Sequence, residues 1–370
     1  MQRKVTKTSG GRLIRLIAIL AFMAAIAAAC GSNTSTDAAD DPVGEEAAEE
    51  AEAEAEPEAE EEPEAEDEAD GEPRQVAFLN ASSANTWLQS SLSAMEPIAA
   101  DNNIEIVEFD AGFDPAAQQQ QFQDAIASGQ FDGVVLTSLA GAGAQPDIQD
   151  ALDAGLEVVV LNQVIGEDFT TTDSPVDGVA GLVFEPPLVR GERLGQLTVQ
   201  ACEGFDPCNV VYFFGIRGIP LDVAVREGWD SSVAGSTVNV VAEGEGQFAG
   251  PDVALAAMQD ILVANSDIDV VVGADQSMQG VELALDDAGI EGVNIVGFGG
   301  SAFSILAVEE GRWWGGLVGV PATEGELAMD AMVQALEGTD VGGIDPAQFV
   351  PNEGLMTQEN VGDFTAQWDG

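Results

Sequence analysis

The sequence predicts an α/β protein built as two similar, doubly wound halves, each a parallel sheet flanked by helices. Three observations carry this. Short apolar runs rich in β-branched residues alternate with helical segments from Gln75 onward. The runs are continuous rather than alternating in polarity, as in strands covered on both faces. The strand–helix series then starts afresh after Pro186-Pro187, so the architecture repeats instead of extending one long sheet.

In the first half, residues 76–80 read as a strand, followed by a helix over 86–101. A strand at 104–109, a helix at 115–128, a strand at 133–137, a helix near 146–154 and a strand at 158–162 follow. The stretch 166–177 is looser. A helix over 189–201 leads into the second series, with strands at 210–214, 238–242, 270–273, 294–298 and 317–320. Helices fall between them at about 221–234, 251–264, 278–288 and 303–309, and a final helix spans 324–336.

The chain has 370 residues, with 11 Lys and Arg against 66 Asp and Glu, a formal charge of −55. A basic start (Arg3, Lys4, Lys7, Arg12, Arg15) precedes an apolar run over 16–29, the pattern of a secretory signal. The run is shorter than the ~20 residues a spanning helix needs. The segment Ala27-Ala28-Ala29-Cys30 resembles a bacterial lipoprotein cleavage site, which implies a lipidated Cys30 and a signal over 1–30. Ala27 stands where Leu is usual, and ordinary cleavage after Ala29 stays open. Residues 31–73, rich in Glu, Ala and Pro, form an acidic tether that self-repulsion extends.

Both lysines and three of the nine arginines lie in the signal. So acidic a surface repels nucleic acid and anionic lipid, since phosphate binding needs clustered Lys and Arg. It favours solubility more than any one function. The sequence has no His, which excludes Ser-His-Asp and Cys-His nucleophile systems. A mature chain without Lys has no Schiff-base or phosphate-loop lysine. With Cys30 set apart, Cys202 and Cys208 form an even pair that should oxidise outside the cytoplasm; a metal site would want more ligands. No cofactor is expected.

Several short segments are informative in combination. Asn80 ends a strand ahead of Asn85-Thr86-Trp87. Phe131-Asp132-Gly133-Val134-Val135-Leu136 and Ala154-Gly155-Leu156-Glu157-Val158-Val159 lead into the third and fourth strands. Ala274-Asp275-Gln276 and Ile295-Val296-Gly297-Phe298-Gly299-Gly300 stand in the second half. In this order the chain resembles the type I periplasmic-binding family, nearest the ribose/galactose-type binders. The resemblance implies two lobes joined by a hinge and a solute held between them. It implies a monomer, presented to the permease of an ATP-binding cassette (ABC) importer. Lobe 1 would cover 74–178, completed by about 321–345; lobe 2 would cover 179–320, completed by about 346–370.

The resemblance also implies a ligand set. Asn85 and the stacking Trp87 follow the first strand. Asn162-Gln163 replace a common Asp-Arg after the fourth. Phe248 fits a second stacking position. Asp275 is divided evenly between capping its helix and binding. Gly299 stands for a common Asp, and Gly319 for a Gln. Asp222 lies in closer register to a family Arg than Arg226 does. Ser138 and Arg217, with Gln163, are further candidates. So few charged groups support a solute binder better than a sugar binder specifically.

Other signals are weaker. One ring of Trp313-Trp314 should be core and the other near the surface. Gln118–Gln121 reads as a solvated helix face. Glu309-Glu310 and Asp286-Asp287 read as exposed helix ends. No paired-acid constellation suggests an enzyme, which leaves a secreted carboxylate hydrolase a remote alternative. A sensor docking a membrane signalling protein shares every pocket feature with a transport binder.

Overall fold

The computed structural model describes residues 71–370. The expected signal, the expected lipidation at Cys30 and the expected tether through residue 70 lie outside the described residues. The chain opens with β1 (Arg74–Asn80), α1 (Thr86–Asp101), β2 (Ile104–Asp110), α2 (Pro115–Ser128) and β3 (Gly133–Leu136). It continues with α3 (Gln145–Asp153), β4 (Glu157–Leu161) and β5 (Gly181–Val183). The second series runs α4 (Pro187–Ala201), β6 (Cys208–Phe214), α5 (Pro220–Val233), β7 (Val238–Glu245), α6 (Pro251–Ala264) and β8 (Val270–Ala274). Then come α7 (Asp275–Ala288), β9 (Asn294–Gly299), α8 (Ala302–Glu309), β10 (Gly315–Val318), α9 (Pro321–Leu336), β11 (Gly342–Ile344) and β12 (Leu355–Thr357).

Two six-stranded sheets result, ordered β11-β5-β4-β3-β1-β2 and β12-β10-β9-β8-β6-β7. Every pairing in the first is parallel; in the second only β12, against β10, is antiparallel. The central strands of each sheet are buried on both faces. Ala77 and Leu79 enter one core and Val76 and Phe78 the other. Val211 and Phe213 likewise separate from Val210 and Tyr212. That division explains the unbroken apolar runs, because both side-chain directions of a strand meet a helix layer.

Local chemistry sets the helix starts. Asp114 caps α2 by accepting from the amides of Ala116 and Ala117. Prolines occupy the first turn of α2, α4, α5, α6 and α9, where a missing N–H costs nothing. Gly129 and Gly289 end α2 and α7 in the left-handed conformation.

Sheet pairing fixes the crossings between lobes. β5 pairs with β4 (Val159 with Gly181), so the first crossing follows Val183 rather than residue 178. The chain returns after β10, and α9 packs on α1 and β4 of the first lobe. β11 pairs with β5, and the last crossing delivers β12 to the second sheet. Gln118 departs from its expected solvated face. It is buried, with Nε2 donating to the Thr137 carbonyl at 2.8 Å and Oε1 accepting from the Leu139 amide at 2.8 Å. Trp313 is core and Trp314 half-buried. Cys202 and Cys208 form a disulfide between the end of α4 and the start of β6, with 5.6 Å between Cα atoms.

Helices α4 and α5 meet through glycines. A Cβ on Gly191 would fall on the Val225 carbonyl oxygen, and one on Gly228 on that of Leu188. Trp229 on α5 is buried beside them, and its Nε1 donates to Thr198 Oγ1 on α4 at 2.9 Å, tying the two helices together. We predict that Gly191→Val destabilises the protein by about 1–3 kcal/mol or more through overpacking. Urea denaturation measures this, and an unchanged midpoint would mean the helices have room to separate.

Candidate solute cleft

The carboxyl ends of the parallel strands of both sheets face one another, where open α/β sheets place ligands. β1 ends at Asn80, and the turn that follows brings Asn85 to the head of α1. Asn85 Oδ1 accepts from the Leu88 amide at 3.0 Å, capping the helix. Its Nδ2 is left to donate to the Phe248 carbonyl of the other lobe at 3.0 Å. Trp87 projects from the first turn of α1, and its Nε1 donates to Glu324 Oε2 at 3.0 Å. Asn162, just past β4 and held at φ 62°, donates from Nδ2 to the same oxygen at 2.9 Å.

The second lobe supplies the facing wall. Gln247 and Phe248 both have positive φ, at 64° and 51°. This tight bend lays the Phe248 ring over Gly215, where any Cβ would overlap it. Gly299 has φ 141°, a region reserved for glycine. Its carbonyl accepts from Trp368 Nε1 at 3.0 Å. Trp368 meets Trp87 edge-on, with 5.4 Å between ring centroids and 68° between planes. Gly319 leaves room for the Trp87 ring, which a Cβ there would strike. The cavity between these walls is about 70 Å³, and apolar side chains dominate its wall.

Asn85, Trp87, Asn162, Gln163, Phe248 and Gly299, expected from sequence, all line this cavity. Ser138, Arg217, Asp222 and Asp275 do not, and each is engaged elsewhere. Ser138 Oγ accepts from the Ala140 amide at 3.3 Å. Arg217 pairs with Glu243 at 3.0 Å and lies over the Phe214 ring, with 43% of its side chain exposed. Asp222 accepts from the amides of Gly215 (3.2 Å) and Ile216 (2.6 Å), and burial lifts its pKa to about 6. Asp275 neither caps its own helix through its side chain nor reaches the cavity. Its Oδ2 accepts from the Ser301 amide at 2.8 Å, tying α7 to the head of α8, and burial raises its pKa.

Sequence reasoning missed Glu185, Arg190, Glu324 and Trp368. Glu185, in the first crossing, is held by Arg190 Nε at 2.7 Å and Arg193 Nη1 at 2.8 Å. Glu185 and Arg190 are the charged side chains on the cavity wall, and they pair with one another. Glu324 lies behind Trp87 and Asn162. Burial pushes its pKa up to about 7, while Arg190 and the two donated hydrogen bonds oppose the shift. Only the Pro-Pro break beside Glu185 marked this region in sequence; nothing marked Glu324 as more than a first-turn acid.

Residues 76–340 match the family described as a periplasmic binding protein domain, and the chain belongs to it. The lobes and their crossings are those of its type I members, which are non-enzymatic solute-binding proteins. Three similar solved structures illustrate the fold. An ABC transporter solute-binding protein from Mycobacterium smegmatis with bound glycerol is 22% identical, covers 80% of this chain and 99% of its own, and gives a TM-score of 0.67. One from Bacillus halodurans with bound myo-inositol is 21% identical over 80% and 99%, with a TM-score of 0.68. A galactofuranose-binding protein is 18% identical over 79% and 97%, also at 0.68. No curated protein matches the chain in sequence.

The buried Glu324 has a signed pH consequence. It ionises near 4.5 when free in the unfolded chain and near 7 when folded. The folded state therefore holds the extra proton between those values, and stability falls as pH rises from about 4.5 to about 7. Glu324→Gln should remove one group's contribution to that fall, leaving the similar but lower window of Asp222. Urea midpoints across this range test it; an unchanged slope would contradict the desolvation account.

Proposed function

We propose that this chain is an extracytoplasmic solute-binding lipoprotein. It captures one small, uncharged, polyhydroxylated molecule between its lobes and delivers it to an ABC-type import permease. One observation carries the reading: Asn85 and Phe248, from opposite lobes, meet around a cavity lined by aromatic rings and amide side chains. Rings pack against the apolar C–H faces of a polyol, and Asn162 and Gln163 both donate and accept hydrogen bonds to its hydroxyls. Mutual neutralisation of Glu185 and Arg190 disfavours a charged solute. The glycerol, myo-inositol and galactofuranose named for the similar structures support this class. Family membership supports a location outside the cytoplasm, and no helix among the described residues is long and apolar enough to cross a membrane. Anchoring is assigned to a lipid on Cys30, with residues 31–73 as spacer to a monomeric binding unit.

A bound solute stabilises the folded state by mass action, by about 2.7 kcal/mol at a hundredfold excess over Kd. Thermal shift against glycerol, inositols, pentoses and hexoses should yield a stabilising solute, and Trp87→Ala should lose most of that shift. A wild-type protein indifferent to all of them, or a variant that keeps the full shift, would contradict the assignment. For the anchor, Cys30→Ser should move the protein from the membrane fraction to the soluble one. Unchanged fractionation would contradict lipidation.

A further inference from the structure

The segment following Phe364 belongs to neither lobe alone. Phe364 is buried in the second-lobe core, which roots the segment there. Beyond it, successive residues bond alternately to the two lobes. Gln367 faces the first lobe. Its Oε1 accepts from the Thr323 amide at 3.0 Å and its Nε2 donates to Thr323 Oγ1 at 2.8 Å. Its carbonyl accepts from Ser90 Oγ on α1 at 2.6 Å. Trp368 and Asp369 face the second lobe, where their carbonyls accept from the amides of Ala302 (2.9 Å) and Phe303 (3.4 Å). Gly370 turns back to α1, and its carbonyl accepts from Thr86 Oγ1 at 3.1 Å.

The first turn of a helix has backbone donors without intrahelical partners. Gln367 satisfies one at the head of α9 in the first lobe; Trp368 and Asp369 do so at the head of α8 in the second. One short segment thus caps a helix in each lobe. Between these anchor points the Trp368 ring is wedged between Trp87 of the first lobe and Gly299 of the second. Hinge opening separates two lobes as bodies. It must break one of the two sets of bonds, and the Phe364 root makes the first-lobe set the one to yield.

We propose that Gln367–Gly370 is an interlobe latch that holds the cleft closed, with Gln367 and Trp368 as positioning residues for the Trp87 wall. The proposal rests on reading the cleft as a solute site that opens and closes, but its test needs no solute. Hydrogen–deuterium exchange of the full chain is compared with a Thr86→Val/Ser90→Ala double variant, which removes both side-chain donors of α1 and leaves the second-lobe bonds untouched. Each lost hydrogen bond is worth about fivefold in the open population. Amides of cleft segments 81–88 and 245–250, one in each lobe, should therefore exchange at least about fivefold faster, while the strands of both sheets keep wild-type protection. Trp368→Phe, which keeps an aromatic ring against Trp87 but loses the bond to Gly299 and part of the packing on it, should accelerate the same segments less. Faster exchange confined to 299–304 and 364–370, or no change, would overturn the latch without touching the solute assignment. A failed solute screen with accelerated cleft exchange would do the reverse.

Discussion

A single carboxylate oxygen withheld from water organises the first-lobe wall of the cleft. Glu324 Oε2 accepts from Trp87 Nε1 and Asn162 Nδ2. It thereby joins the first turn of α1, the end of β4 and the first turn of α9, three segments far apart in the chain. The arrangement is tightly constrained. Burying a carboxylate is costly unless its lone pairs are used, and removing either donor leaves a buried oxygen underpaired. Because the same bonds hold the indole edge, the orientation of the Trp87 ring is set by a group behind it rather than by the solute in front.

The scarcity of cations gives the charge pattern its meaning. A chain at −55 has few arginines to spend, and two of them, Arg190 and Arg193, converge on Glu185 in the first crossing. These pairs fix the crossing segment against α4, and Glu185 and Arg190, which line the cavity, compensate one another there. Arg217, Arg226 and Arg312 pair with surface acids instead, where ion pairs are solvated and worth little. The overall acidity therefore shapes the protein's exterior, while the cavity between the lobes is lined mainly by aromatic rings, apolar side chains and amides.

Much of this architecture was legible in sequence because local chemistry and tertiary demand agree. The helices over Thr86–Asp101, Pro115–Ser128 and Pro251–Ala264 begin at a capping side chain or a proline and were readable to the residue. The three-residue strands β5, β11 and β12 were not, since glycine-rich or short segments become strands only when a sheet edge receives them. The same division runs through the cleft. Asn85, Trp87, Asn162 and Phe248 lie in the turns after strand ends, so the family resemblance could be carried onto them by position. Asp222 and Asp275 also sit at helix heads beside strand ends, but short carboxylates there are within reach of backbone amides, which claim them. Glu324 and Trp368 reach the cleft only through long-range packing, the former 237 residues from the indole it holds.

Native mass spectrometry of the full chain, after incubation with a mixture of neutral small metabolites, tests the central claim most directly. The account predicts one dominant small-solute adduct per protein molecule, uncharged and rich in hydroxyls, that is lost in Trp87→Ala. Retention of an anionic solute, or an adduct indifferent to the loss of the Trp87 ring, would contradict it.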